Sequence, residues 1–216
     1  MADFRIDWQR GERTGFPEAV LCEHKAPAQI DAIVAEGQAR GERLLLTRLT
    51  PERHAALALA TRAHLRYRPE SRTAVLGEPL VLAECGVGIV TAGTSDLPIA
   101  HEAAETLAFV GKDAAIVADI GVAGLWRLMD RIEDIRRFRV VIAIAGMEGA
   151  LFGVLPGLIA APVIAVPSSA GYGVATNGRA ALSSALASCA PGLATVNVDN
   201  GFGAAVMALK ILRAAS

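Results

Sequence analysis

Short apolar runs alternate with longer amphipathic segments from about residue 87 to the end of the chain. Runs such as Val87–Gly93 and Pro162–Pro167 have the length and aliphatic content of buried parallel strands. Segments such as Leu125–Phe138 repeat apolar residues at helical spacing. The predicted strands are 87–93, 139–146, 162–167 and 193–198, and a further strand together with its loop occupies 113–124. The predicted helices are 96–111, 125–138, 148–160, 179–188 and 203–215. This alternation predicts an α/β fold with a doubly wound, five-stranded parallel sheet.

The first 69 residues have a different pattern and carry a higher density of charge. Residues 27–40 predict a helix that ends at Gly41, and Leu44–Thr47 predicts a short strand. We therefore expect a small N-terminal α/β extension, residues 1–69, followed by the doubly wound domain, residues 70–216.

Composition narrows the class of protein. The 216 residues carry a net charge of -1 and contain no basic run, which argues against a nucleic-acid or membrane surface. Apolar residues make up 53% of the chain and aromatic residues only 5%, so the core is built from aliphatic side chains. Three widely spaced cysteines do not suggest a disulfide framework, and the charged N-terminus lacks the pattern of a signal peptide. A cytoplasmic protein is the expectation.

Residues 149–170 contain no charge and approach the length of a membrane-spanning helix. Prolines and glycines, among them Pro156, Gly157 and Pro162, cut this stretch into pieces of helix and strand length. We therefore expect a buried sheet with its covering helices, and no membrane span.

The loop "TAGTSDLP" follows the first strand of the larger domain and opens a helix. Gly93 permits a tight turn, Thr94 and Ser95 offer hydroxyl groups, and Asp96 stands beside the helix N-terminus. Backbone N–H groups there are suited to a phosphate, and the Asp96 carboxylate to ribose hydroxyls. The alternative is that Ser95 or Asp96 only caps the helix.

Glu148 is the one charged residue within the apolar stretch 144–167. A carboxylate among apolar groups is costly to desolvate unless it has a partner or its pKa rises. Such residues are often acids, bases or metal ligands. The alternative is a first-turn residue that the helix dipole favours.

Other polar groups fall in the same kind of loop. Asp119 follows the second strand and is a candidate metal or ribose ligand, or simply a turn residue. The loop "NVDNGFGAA" follows the last strand and offers Asn197, Asp199 and Asn200 next to glycines that let a ligand approach the backbone. Cys189 lies in the turn "SCAPG", where a thiol is accessible and can be activated, although a lone cysteine is more often inert.

These segments resemble the PurE family of phosphoribosylaminoimidazole carboxylases and mutases. The likeness rests on "GTSDLP", "IAGMEGALFGVLPGLIAAPVIAVPSS" and "CAPGLATVNVDNGFGAAVMALKIL". It implies a PurE-like domain with flavodoxin-like strand order. Two features depart from that family: Val154 stands where the family has a catalytic histidine, and "GVAG" replaces its His-Arg pair.

A divergent branch, the LarB family of pyridinium-3,5-biscarboxylic acid mononucleotide synthases, is similar along nearly the whole chain. The segments "RTGFPEAVLCEHKAPAQI", "GVAGLWRL", "AGMEGAL" and "SCAPG" carry this resemblance. It implies nicotinic acid adenine dinucleotide, carbon dioxide and water as substrates, and AMP as one product. The family's ring nucleophile falls on Cys189, its glutamate, a base or metal ligand, on Glu148, and its aspartate on Asp96. Together with the loop analysis, this gives the predicted substrate-binding residues Gly93, Thr94, Ser95, Asp96, Gly121, Gly146, Met147, Asn197, Asp199, Asn200, Lys25 and Arg48.

The implied chemistry is covalent catalysis on a pyridinium ring. Thiolate addition from Cys189 would make the neighbouring ring carbon nucleophilic enough to attack carbon dioxide. Phosphoanhydride cleavage suggests Mg²⁺, for which Asp119, Asp199 and the substrate phosphates are the oxygen ligands considered. Lys25 and Arg48 would neutralise phosphate charge, unless they are solvated surface residues.

Cys189 precedes its strand, whereas the ligand loops follow theirs, so the two should lie at opposite edges of one sheet. The related carboxylases are octamers with sites between subunits, and we expect a homo-oligomer in which a neighbouring chain or a long turn supplies Cys189. Two alternatives remain open: carboxylate transfer on aminoimidazole ribonucleotide, and a non-catalytic nucleotide-binding module.

Overall fold

A computed structural model describes residues 4–215. The chain divides between Val81 and Leu82 into two compact units. Among the described residues, no helix has both the length and the apolar content needed to cross a membrane.

The first unit contains a mixed sheet with the strand order β1-β2-β4-β3. Strands β1 and β2 are parallel, and β4 is antiparallel to both β2 and β3. Its core is aliphatic, built around Ile30, Ile33 and Leu46. The elements are α1 (Arg10–Thr14), β1 (Ala19–Leu21), α2 (Pro27–Arg40), β2 (Leu44–Thr47), α3 (Pro51–Ala55), α4 (Leu59–His64), β3 (Leu65–Arg68) and β4 (Thr73–Leu76).

Helix α2 has the bounds that the sequence predicts, and local interactions explain them. Pro27 stands at the first helical position, where its missing N–H is not needed. The Gln29 side chain accepts a hydrogen bond from the Ala26 N–H at 3.0 Å. Gly41 ends the helix in the left-handed conformation and donates its N–H to the Gln38 carbonyl.

The unit boundary lies later in the chain than the expected boundary after residue 69. Strand β4 hydrogen-bonds to β2 through Leu44–Leu76 and neighbouring pairs, and to β3 on its other side. All four residues of β4 are buried in the sheet of the first unit. Sequence periodicity alone does not show which sheet a short strand joins.

The second unit contains an all-parallel, five-stranded sheet with the order β6-β5-β7-β8-β9, which confirms the predicted fold class and the flavodoxin-like strand order. The central strand β7 is buried along its entire length. The elements are β5 (Ala83–Thr91), α5 (Leu97–Phe109), β6 (Lys112–Val117), α6 (Leu125–Ile135), β7 (Val140–Ala145), α7 (Ala150–Val154), β8 (Val163–Pro167), α8 (Arg179–Ala187), β9 (Leu193–Thr195) and α9 (Gly201–Ala214).

Helices cover both faces of this sheet. On one face α6, α7 and α8 pack through residues such as Leu128, Phe152 and Ala181 onto Val141 and Ala143. On the other face α5 packs against α9 and both contact the sheet. This double layer buries the strands on both sides, so they are continuously apolar and do not alternate with polar residues.

Two elements are shorter than the sequence predicts. The helix expected over 148–160 is α7 followed by a single 3₁₀ turn at Leu155–Gly157, because Pro156 cannot continue an α-helix and Gly149 begins it in the left-handed conformation. The last strand ends at Thr195, where its pairing with β8 stops at Ala165. The residues beyond it form the loop that leads to α9.

Candidate active site

A cavity of about 620 Å³ opens at the carboxyl edge of the parallel sheet, within the second unit. Ligands of open α/β sheets bind at this edge, beside the point where the strand order reverses. Here the reversal lies between β5 and its neighbours β6 and β7. The predicted site residues that line the cavity are Gly93, Ser95, Asp96, Asp119, Gly121, Gly146, Met147 and Glu148.

Asp96 is the most deeply buried charged group of the cavity, with 3% of its surface exposed. Its Oδ2 accepts the Gly93 N–H at 3.0 Å, while Oδ1 is buried without a well-oriented donor among the described residues. Burial raises the pKa of Asp96, the Gly93 N–H and the nearby Ser168 hydroxyl lower it, and the charge of Asp199 raises it. One oxygen therefore braces the loop, and the other is enclosed at the wall of the cavity.

Asp96 combines a capping interaction with a place in the cavity wall. A 3₁₀ turn, Thr94–Asp96, leads into α5, and Asp96 accepts the N–H of Gly93, the residue that precedes this turn. No side chain caps the first N–H groups of α5 itself. Thr94 and Ser95 are exposed, and Ser95 but not Thr94 lines the cavity. The capping alternative therefore holds for the 3₁₀ turn but not for α5, and Asp96 also lines the cavity.

Glu148 lies at the rim of the cavity with an exposed side chain. Its neighbours in the sequence are apolar, but the carboxylate itself is not enclosed by them. Strand β7 ends at Ala145, and the turn that follows, in which Met147 has a left-handed φ of 52°, brings Glu148 out of the apolar layer. The charge is tolerated because water or a ligand reaches it.

Gly146 is essential to the shape of that turn. The Met147 N–H donates to the Ala170 carbonyl at 3.0 Å, which draws the loop after β8 against the backbone of Gly146. A Cβ atom at position 146 would collide with the same Ala170 carbonyl oxygen. The close approach of two backbones forms one wall of the cavity, and Gly171 and Tyr172 continue it.

Asp119 is paired with Arg127, a residue that sequence reasoning missed. Asp119 has a left-handed φ of 58°, and its N–H donates to the Thr91 hydroxyl at 3.2 Å. Arg127 Nη1 donates to Asp119 Oδ2 at 2.7 Å, and both residues line the cavity. The available signal was the position of Arg127 in the first turn of a helix that directly follows a ligand loop.

The carboxylates of the described residues do not form a preformed metal centre. No group of three His, Cys, Asp or Glu side chains within residues 4–215 is arranged to hold an ion. Asp119 is engaged by Arg127, and Asp199 Oδ1 accepts the Ser169 N–H at 2.7 Å. These donors do not fit the predicted Mg²⁺ site, so we derive no step through a metal ion.

The predicted residues of the last loop brace the backbone and are not among the cavity-lining residues. Asn200 Oδ1 accepts the Gly203 N–H at 2.8 Å and caps α9. Asn197 Oδ1 accepts the N–H of Val198 at 2.9 Å. Asp199 has a left-handed φ of 54°, and its negative charge raises the pKa of Asp96.

Cys189 is exposed and follows α8, before the start of β9. It therefore lies at the amino ends of the parallel strands, whereas the cavity lies at their carboxyl ends, and it is not a lining residue. Lys25 and Arg48 belong to the first unit, where Arg48 Nη1 donates to Glu23 at 3.0 Å.

The family comparisons divide the chain as the contacts do. Residues 1–78 match the model of the LarB/PurE-like N-terminal domain, and residues 86–216 match that of AIR carboxylase.

Curated relatives match over somewhat more than half of the chain. An uncharacterised protein of Methanocaldococcus jannaschii is 47% identical over 124 residues, which are 56% of this chain and 47% of the relative, so this chain spans about half the length of that protein. The N5-carboxyaminoimidazole ribonucleotide mutase of the same organism is 37% identical over 129 residues, 57% of this chain and 76% of the mutase. The mutase of Pyrococcus abyssi is 36% identical over 134 residues, 58% of this chain and 72% of the mutase.

Among solved structures, a crystal structure of a Treponema denticola PurE2 variant superposes with a TM-score of 0.51 at 23% identity, covering 60% of this chain and 80% of that one. This similarity supports the fold alone. The AIR carboxylase match spans more than half of the residues and follows directly on the LarB/PurE-like domain. The chain therefore belongs to the AIR carboxylase family and, within it, is a LarB-type, PurE-related protein.

Proposed function

We propose that this protein carboxylates the pyridinium ring of nicotinic acid adenine dinucleotide and hydrolyses its phosphoanhydride. The products are pyridinium-3,5-biscarboxylic acid mononucleotide and AMP. The observation that carries the proposal is the composition of the cavity: its charged lining residues are three carboxylates, Asp96, Asp119 and Glu148, and one arginine, and no described lining residue is a histidine.

Carboxylates suit a cationic ring better than they suit a neutral imidazole. Asp96, Glu148 and Asp119 bring three carboxylates to the cavity, against the single guanidinium of Arg127 among the described lining residues. A pyridinium ring there gains Coulomb attraction that a neutral ring lacks. The volume of about 620 Å³ is within the range of small-ligand sites.

The loss of the family histidine changes the chemistry. Val154 occupies that position and packs against the apolar core beside α7. A valine cannot transfer a proton, so carboxylation has to be driven in another way. A thiolate that adds to the ring creates a nucleophilic carbon without an imidazole acid or base.

The bonds in the proposed carboxylation balance. The Cys189 thiolate bonds to ring carbon 4, and the ring electrons shift to the nitrogen. Carbon 5, now part of an enamine, attacks carbon dioxide and forms the new carbon–carbon bond. Glu148 removes the proton from carbon 5, and expulsion of the Cys189 thiolate restores the aromatic ring. Water cleaves the phosphoanhydride in a separate step, for which we assign no residue.

Cys189 reaches the ring only if another copy of the chain, or a rearrangement of its own turn, supplies it. We propose the former, a homo-oligomer with shared sites. The exposure of Cys189 supports this arrangement, because a thiol on the surface at the amino ends of the strands is accessible to a neighbouring cavity.

The first experiment is incubation of the protein with nicotinic acid adenine dinucleotide, ¹³C-bicarbonate and Mg²⁺, with products identified by mass spectrometry. We expect AMP and a mononucleotide that carries one labelled carboxylate. Cys189→Ala should abolish labelling, at least 10³-fold by analogy with the loss of other nucleophiles. Cys85→Ala is the matched control, because Cys85 only donates its thiol to the Asp113 carbonyl, and it should keep the activity.

Labelled product from Cys189→Ala would refute the covalent mechanism. Tight binding of the dinucleotide without AMP release would instead indicate a non-catalytic nucleotide-binding module.

A second candidate is carboxylate transfer on aminoimidazole ribonucleotide. The mutases that are 37% and 36% identical over 57% and 58% of this chain favour it. It requires that the protein convert this substrate even though Val154 replaces the catalytic histidine of the family. A direct assay with N5-carboxyaminoimidazole ribonucleotide decides the question, and the absence of turnover at micromolar enzyme would eliminate this candidate.

A further inference from the structure

Ser168 is the first residue after β8, and only 1% of its surface is exposed. Its N–H donates to the Ala145 carbonyl at 2.8 Å, which continues the pairing of β8 with β7 beyond Pro167. A Cβ atom at Gly178 would stand 2.9 Å from the Ser168 carbonyl oxygen, so the backbone is also closely packed against a second segment. The side chain of Ser168 therefore starts from a backbone that has little freedom to move.

The hydroxyl group of Ser168 shapes the start of the cavity wall. Its Oγ accepts the Ala170 N–H at 3.1 Å. The Ala170 carbonyl accepts the Met147 N–H at 3.0 Å, in the turn that carries Glu148. Ala170 and Met147 line the cavity, whereas Ser168 is not a lining residue. Ser168 therefore acts on the wall through Ala170 and is not itself placed to touch a ligand.

The hydroxyl hydrogen of Ser168 remains to be donated, because the bond with Ala170 uses the oxygen as acceptor. Asp96 offers the acceptor: its Oδ1 is buried without a well-oriented donor among the described residues. The Ser168 hydroxyl lies near enough to this carboxyl to lower its pKa. An enclosed acceptor without a donor is unfavourable, and a rotation of the hydroxyl group would satisfy it. Hydrogen bonds of this kind often tighten only when substrate binds.

We propose that Ser168 is a positioning residue that couples Asp96 to the cavity wall. Its hydroxyl donates to Asp96 Oδ1 and accepts the Ala170 N–H, so the loop after β5 and the loop after β8 are held in one arrangement. The bond also favours the charged form of the buried carboxylate. The coupling does not depend on the proposed function, whereas its effect on carboxylation of a pyridinium ring rests on that function.

The other charged groups that bear on Asp96 come from three neighbouring loops and from α6. Asp199, in the loop after β9, raises the pKa of Asp96. The remaining charged groups line the same cavity and are Asp119, Glu148 and Arg127. A substitution at position 168 leaves all of these side chains in place, so variants at this position report on the hydroxyl group.

The first test is urea unfolding of the wild type and Ser168→Ala from pH 4 to pH 7. Loss of the hydroxyl should raise the pKa of Asp96 further above 3.8, which widens the interval in which the folded protein holds an extra proton. Stability linked to this proton is present below the interval and is lost as pH rises through it. The stability deficit of Ser168→Ala should therefore grow with pH. In an Asp96→Asn background the deficit should be the same at every pH.

The second test is carboxylation of nicotinic acid adenine dinucleotide. Ser168→Ala should lower kcat/KM by about tenfold or more in the wild-type background, as expected for the loss of a hydrogen bond to a charged group. It should have little further effect in the Asp96→Asn background, because the two residues act as one unit.

Ser169→Ala is the matched control, since it removes the same hydroxyl group from the adjacent residue, which is exposed and is not a lining residue. It should behave like the wild type in both tests. Ser168→Cys is a weaker donor and acceptor and should fall between the wild type and Ser168→Ala. It replaces Ser168→Ala in both tests if circular dichroism shows that the alanine variant is not folded.

The outcomes separate this inference from the proposed function. A stability deficit that is constant from pH 4 to pH 7, or that grows equally in the Asp96→Asn background, would show a merely structural role and overturn the inference. An equal loss of kcat/KM in both backgrounds would overturn it as well. If the pH dependence is as expected but the wild type does not turn over the dinucleotide, the positioning role stands and the proposed function fails. If Ser168→Ala carboxylates the dinucleotide like the wild type, the positioning role fails and the proposed function stands.

Discussion

At the scale of single residues, Asp96 combines a bracing role with a second oxygen that is buried without a well-oriented donor among the described residues. The bond from the Gly93 N–H fixes the loop after β5, while burial disfavours the charged carboxylate. The negative charge is therefore kept at a cost to stability, as is common in functional sites.

Asp96→Asn should stabilise the protein at neutral pH and weaken substrate binding by about tenfold or more. The folded-state pKa of Asp96 lies above the ordinary value of 3.8, so the folded protein binds more protons than the unfolded chain in the interval between the two values. Stability contributed by this group is present below that interval and is lost as pH rises through it. Urea unfolding from pH 4 to pH 7 measures this slope.

The difference in unfolding free energy between Asp96→Asn and the wild type should grow with pH. Asp130→Asn, on the exposed face of α6, is the control and should show no such trend. A difference that stays flat or shrinks as pH rises would contradict the assignment of Asp96 as a buried carboxylate.

At the scale of elements, the turn between β7 and α7 forms the cavity wall through contact of two backbones. Gly146 makes this contact possible, and the residue at position 147 must adopt a left-handed conformation to hold Glu148 at the rim. The shape of this wall therefore depends on the absence of a side chain at position 146.

Gly146→Ala should lower the free energy of unfolding by about 1–3 kcal/mol and reduce kcat/KM, because the Ala170 carbonyl has to move away. Gly153→Ala is the control: nothing lies within 4 Å of a Cβ there, and alanine favours the helix by about 0.5–1 kcal/mol. Chemical unfolding and steady-state kinetics of the two variants provide the comparison. Equal stability of the two would show that the wall is not tightly packed.

At the scale of the whole molecule, the separation of Cys189 from the cavity requires an explanation. Both lie in the second unit but at opposite edges of one parallel sheet. A parallel sheet places every crossover turn at one edge and every ligand loop at the other. An assembly in which one chain supplies Glu148 and another supplies Cys189 would resolve this separation.

Co-expression of Cys189→Ala with Glu148→Gln chains tests the shared site. Each variant alone should be inactive, whereas mixed oligomers purified through two different tags should recover about a quarter of the wild-type rate, since random pairing places both intact residues in one site in four. Mixed oligomers without activity would show that each chain supplies both residues to its own site.

Local pattern was sufficient to predict the elements of the second unit and helix α2. The apolar period distinguishes strands from helices, and Pro27 and Gly41 mark helix ends through effects that act within a few residues. It failed where local and long-range effects compete. The membership of β4 in the first sheet depends on its pairing with β2 and β3. The early end of α7 has a local cause instead, the helix-breaking Pro156, which the predicted helix did not take into account.

The sequence by itself determined the order of the elements, the parallel sheet and the loops that meet at its carboxyl edge. Handedness and connection rules leave few arrangements for such a pattern. Only the tertiary structure decided how each polar side chain is used. It buries Asp96, exposes Glu148, pairs Asp119 with Arg127 and leaves Cys189 at the far edge. Burial and pairing depend on residues that are distant in the chain, and no local pattern records them.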